Sequence, residues 1–111
     1  MSSDDQKIKY SKVFQIIEAG EAAGNEGKTD LALSKFAEAH NLFLSYSDKG
    51  GETTEGRIVL WNIFHGIGIC FANIGDKEKA MYHFNQAVVI APLESIKEKT
   101  RECINTVNKK L

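Results

Sequence analysis

One apolar pattern occurs twice in this chain. Ala32, Phe36 and Ala39 follow Gly27, and Ala80, Phe84 and Ala87 follow Gly75 at the same offsets. Small residues one helical turn apart let two helices approach closely, and a phenylalanine then fills the gap between them. A recurring unit of this kind points to a stack of like helical hairpins, in which each unit covers the face of its neighbour.

Helical periodicity covers most of the chain, and strand signals are nearly absent. From Ile8 onward, Val13, Phe14, Ile16, Ile17 and Ala23 supply one apolar face. Asp4 or Asp5 is placed to cap it, because a carboxylate there accepts the free N–H groups of the first turn. Gly24 to Gly27 ends this helix. A second is expected from Thr29-Asp30 to about Tyr46, with Leu31, Leu33, Phe36, Ala39, Leu42 and Phe43 on its apolar side. Residues 47–56 hold Gly50, Gly51 and Gly56 and no strong hydrophobe, and read as a loop. A third helix is expected over about Arg57 to Ile74. A fourth runs from Asp76, its cap, to about Ile90. The only proline, Pro92, closes it and suits the first turn of a fifth helix reaching about Lys109. Gly20, Gly66 and Gly68 fall inside helices, where each costs about 1 kcal/mol relative to alanine. Close helix–helix approach would offset that.

With 111 residues the chain makes one domain. Its net charge of −1 supplies no field for nucleic acid or an anionic membrane, so neither is expected as a partner. The longest nearly apolar stretch, Ile67 to Ile74, is too short to span a bilayer. Met1 to Gln6 is polar and carries no targeting segment. Cys70 and Cys103 lie far apart and read as reduced thiols, so a cytoplasmic location is expected. His40, His65 and His83 share no metal-ligand spacing with one another or with the cysteines, so no metal is expected. Gly66-Ile67-Gly68 sits inside a helix and is no phosphate loop. A nucleophile–base pair of Cys103 and His65 is conceivable, but spacing alone gives no contact. The chain is therefore read as a non-enzyme with no cofactor.

The repeated residues resemble the tetratricopeptide repeat, a helical hairpin of about 34 residues. In the second unit, about Trp61 to Glu94, Phe64 stands at the position of the family's tryptophan. Ile67-Gly68 replaces its Leu-Gly pair, Phe71 its tyrosine, and Ala80, Phe84, Ala87 and Pro92 complete the pattern. The first unit, about Val13 to Tyr46, fits through Ile16, Ala19, Gly20, Gly27, Ala32, Phe36 and Ala39, with Ala23 in place of the aromatic and Leu44 in place of the proline. The residues from about 95 to 111 look like the family's C-terminal capping helix. There Ile96, Cys103, Ile104, Val107 and Leu111 would cover the last repeat, while Lys97, Glu98, Lys99, Arg101, Glu102 and Lys109 would face water. The resemblance implies an all-α, right-handed superhelix of two hairpins plus a cap.

In that family the first helix of each hairpin lines a concave groove. The matching stripe on the third helix is Asn62, His65, Ile69, Ala72 and Asn73, opposite Phe64, Ile67, Gly68 and Phe71. On the first helix it is Phe14, Ile17, Glu21, Gly24 and Asn25. Phe14, Ile17, Glu21, Asn25, Asn62, His65, Ile69 and Asn73 are thus the candidate groove residues. Asparagine both donates and accepts, so it suits a peptide backbone in either sense. One subclass of the family grips a chain-terminal carboxylate with basic groove residues. The corresponding positions here hold Ile17, Glu21, Gly66, Ile96 and Thr100, so that clamp is missing. The expected function is a non-catalytic adaptor or scaffold that holds a peptide or partner protein by apolar anchors, with a basic group opposite Glu21. The alternative is a structural protein that associates with itself as a homodimer, because two repeats bury little and three are usually preferred.

Overall fold

The structure, a computed structural model, describes residues 9–46 and 52–110. It is all-α. Five helices follow one another: α1 (Ser11–Asn25), α2 (Thr29–Ser45), α3 (Thr54–Asn73), α4 (Lys77–Ile90) and α5 (Glu94–Lys110). No strand occurs among the described residues. No described helix is long and apolar enough to cross a membrane.

The two repeated units build two matching hairpins, α1–α2 and α3–α4. Each has an inner turn on a glycine in the left-handed region, Gly27 at φ 78° and Gly75 at φ 82°. Side chains rarely adopt that conformation. Just after each glycine the chain closes the helix in the same way. Lys28 N–H donates to the Ala23 carbonyl at 2.9 Å, and Asp76 N–H to the Phe71 carbonyl at 2.9 Å. This is the six-to-one bond of a glycine-terminated helix. Asn25 and Asn73 end their helices without taking the left-handed conformation, which the glycines carry instead. The Asp76 carboxylate then caps α4 by accepting from Lys79 N–H at 3.1 Å.

Ala32, Ala39, Ala80 and Ala87 are fully buried, and so in effect are Phe36 and Phe84. The interior glycines explain how the rings fit. A Cβ on Gly66 would lie 2.5 Å from Phe36 Cζ, and one on Gly68 would lie 2.6 Å from Phe84 Cδ1. Each phenylalanine thus lies against bare backbone of α3. Truncating a core ring of this kind costs about 3–5 kcal/mol, more than the intrinsic helix cost of the glycine that admits it.

Each helix packs on the next, α1 also packs on α3, and α3 on α5; α2 and α4 do not touch. The largest apolar cluster fills the first hairpin and its seam with α3, through Val13, Ile17, Phe36, Phe43, Val59 and Ile63. Smaller clusters seat α5. Ile96 packs against Trp61, Ala87 and Ala91, while Cys103, Ile104 and Val107 pack with Ala80 and Phe84. Arg57 Nε donates to the carbonyl of Ile90 at 2.9 Å, tying the start of α3 to the end of α4.

Two expected boundaries move. α3 begins at Thr54 and not near Arg57, because Thr53 caps it by accepting from Gly56 N–H at 3.0 Å. Gly56, read as loop, is a buried helical residue. Of the expected loop, residues 47–51 lie outside the described residues, as do Asp4, Asp5, Ile8 and Leu111. α1 begins at Ser11 with Tyr10 at its N-cap and no side-chain cap. The Tyr10 ring is buried instead against Phe43, at 5.4 Å between centroids.

Candidate functional site

α3 lies between α1 and α5, and the three form a concave groove of about 400 Å³. α3 forms the floor with Asn62, His65, Ile69 and Asn73, which recur at helical spacing along one face. α1 forms one wall with Glu21 and Asn25, and α5 forms the other with Lys99. Six of the eight candidate groove residues therefore line one groove: Glu21, Asn25, Asn62, His65, Ile69 and Asn73.

The other two do not. Ile17 is 1% exposed and belongs to the core cluster with Val59 and Ile63 of α3. It packs in the seam between α1 and α3. Phe14 is half-buried against the same cluster and does not line the groove. Lys99 is exposed, as expected, and stands at the groove rim.

The groove's base is polar and ordered. Thr100 of α5 is wholly buried and is the contact point of two α3 side chains. Trp61 Nε1–H donates to Thr100 Oγ1 at 2.9 Å, and His65 Nδ1 lies 2.9 Å from the same oxygen. The hydroxyl accepts from the indole N–H, which only donates, and shares a further hydrogen with the imidazole Nδ1. The His65 ring also stacks on Trp61 at 4.8 Å. Burial, and then the positive charge of Lys99, lower the His65 pKa to about 4, so the ring is neutral at pH 7. Trp61 is thus a buried seal and not an exposed anchor.

The groove's charges and amides are available. Among the described residues the side chains of Glu21, Asn25, Asn73 and Lys99 make no hydrogen bond or ion pair. Burial, and then the neighbouring charge of Glu18, raise the Glu21 carboxyl above its ordinary range. Asn62 donates to its own helix, to Ile58 O at 3.0 Å, which leaves its amide oxygen to accept from a ligand.

The remaining reactive side chains are dispersed. Cys103 packs beside Phe84 and Val107, and the hydrogen-bond partner of His65 is Thr100, not this thiol. Burial raises the pKa of both Cys70 and Cys103, the opposite of what a nucleophilic thiol needs. His83 donates Nδ1–H to the Lys79 carbonyl and stacks on Phe71. His40 lies edge-on to Phe64. No group of three His, Cys, Asp or Glu side chains that could hold a metal occurs among the described residues.

Comparison with protein families, with curated proteins and with solved structures finds no match to this chain. The groove's own chemistry is what indicates a function.

Proposed function

We propose that the chain is a non-catalytic protein-interaction module, two tetratricopeptide-like hairpins and a capping helix in a right-handed superhelical array, that holds a peptide segment of a partner protein in its groove. One observation carries this reading. Unpartnered amide and charged side chains from α1, α3 and α5 converge on a single concavity with Ile69 exposed in its floor. Such a lining offers a peptide backbone hydrogen bonds and one apolar anchor point. The superhelical arrangement is supported by the equivalence of the hairpins. The turn glycines, the alanine pairs and the phenylalanines coincide at a constant offset, from Ala32 to Ala80. In both hairpins the first helix packs on the first helix of the unit that follows.

The test is selection of groove-binding peptides from a random phage-displayed library on the purified chain, with Ile69→Glu as the control. Peptides should bind wild type and lose at least about tenfold in affinity on Ile69→Glu, roughly 1.4 kcal/mol, with helicity by circular dichroism unchanged. Selected peptides that bind Ile69→Glu equally well would place recognition elsewhere.

One observation favours self-association as a second reading. Tyr82 and Val89 of α4 are 61% and 77% exposed and, with Phe64 and Ile90, border a second, largely apolar recess. Light scattering at two concentrations checks it, and a mass that stays monomeric at both rejects a structural homodimer.

A further inference from the structure

Glu21 and Lys99 face the same groove from opposite walls. Their helices, α1 and α5, do not touch, and α3 lies between them. Neither side chain has a hydrogen-bond or ion-pair partner among the described residues, so each charge is open to a ligand. No other acid or base lines the groove apart from neutral His65. We propose that the groove takes an internal peptide segment that carries both charges, with its Lys or Arg toward α1 against Glu21 and its Asp or Glu toward α5 against Lys99. This rests on the groove-binding reading above and adds the charge pattern of the ligand.

Several observations bear on the occupant. The amides are spread along the groove: Asn25 lies on α1, and Asn62 and Asn73 on α3. They suit a backbone that runs through, whereas a chain end held at Lys99 would leave Glu21 unmet. The charge of Lys99 reaches the groove floor, since it is one of the two causes that depress His65. Glu21 sits where burial and Glu18 both disfavour its charge, and the attraction of an arriving cation opposes both. Neighbouring helices pack at about 8–10 Å, so α1 and α5 stand at most roughly 16–20 Å apart across α3, and closer because the groove is concave. An extended chain advances about 3.3 Å per residue, and the side chains of both partners reach inward. The basic and acidic positions of the ligand are therefore about three to six residues apart. Both charges are partly solvated, so they set orientation more than affinity. Glu21→Gln or Lys99→Gln should each weaken a selected peptide about two- to fivefold, and less at high salt.

The experiment compares peptides selected from a random phage-displayed library by wild type and by the single variants Glu21→Lys and Lys99→Glu. Wild type should enrich peptides with one basic and one acidic residue at that spacing, Glu21→Lys peptides with two acidic residues, and Lys99→Glu peptides with two basic residues. Ile69-dependent peptides that lack the charge pair, or that keep the same charges on all three proteins, would overturn the charge pattern while leaving the groove in place. A selection yielding no Ile69-dependent peptide would take both down.

Discussion

Thr100→Val isolates what a single buried hydroxyl does for this fold. Valine keeps the shape of threonine and replaces the hydroxyl with a methyl group. Trp61 Nε1–H, whose ring is 8% exposed, then has no acceptor, and His65 Nδ1 loses its hydrogen-bond partner. An unsatisfied buried donor costs about 1–3 kcal/mol. His65 is half-buried and water can reach it, so its share is smaller. At about 4–8 °C per kcal/mol for a domain of this size, the melting temperature should fall by about 5–15 °C. The indole supplies an independent readout. Without its acceptor the Trp61 Nε1–H should exchange faster with solvent, followed by NMR. Thr100→Ser removes one methyl, about 0.8 kcal/mol, and should leave that exchange in place. If Thr100→Val melts with wild type and the indole N–H exchanges unchanged, the hydroxyl does not hold the ring. The seat of α5 then rests on Ile96, Cys103 and Val107 alone.

Stability should also fall on acidification. The folded pKa of His65 lies at about 4, below its ordinary 6.5, so the unfolded chain binds the extra proton first. Its contribution is complete above pH 6.5 and is lost as pH falls toward 4. A depression of that size corresponds to about 3 kcal/mol, and solvent around the half-buried ring reduces this to about 2 kcal/mol. Urea midpoints of wild type and His65→Gln across this window measure it, and parallel curves would remove His65 from the account. The raised carboxyl of Glu21 works in the opposite sense at lower pH and is common to both proteins. Alanine at interior glycines should act in two directions. Gly66→Ala and Gly68→Ala force a ring to move and should lower the melting temperature despite the gain in helix propensity. Gly24→Ala meets only Ala32 Cβ at 3.8 Å and should raise stability by about 0.5–1 kcal/mol. The same sign at all three positions would refute the packing explanation.

Local signals placed the hairpins and most of the groove. The glycine turns, the alanine–phenylalanine spacing and Asp76 act within one or two helical turns, so their pattern is visible in the chain itself. The stripe Asn62, His65, Ile69 and Asn73 needed only helical periodicity to share a face. Ile17 misled because its face meets α3, and a periodic stripe cannot say whether a neighbour will cover it. Lys99 lies three residues after Ile96 and four before Cys103, on the edge of the seam that seats α5. Its charge assigns it to water, where it lies, and that spacing is the signal that also puts it at the groove rim. Thr100 carried none, because its partners Trp61 and His65 are 39 and 35 residues away. Gly56 was read by composition as loop, although Thr53 three residues before it is a ready N-cap.

Gly66 and Gly68 are two residues apart, about 200° around the helix, and so lie on nearly opposite sides of α3. Phe36 of the first hairpin occupies one side and Phe84 of the second the other. Many helical arrays can unravel one unit at a time, because each unit is stabilised by its own interior and a modest boundary. Here the central ring of the first unit is also lodged in the backbone of the second. Peeling α1 and α2 away would empty that slot and leave α3 with a bare glycine face in water. The chain is therefore expected to melt in one cooperative step, with no separately stable half.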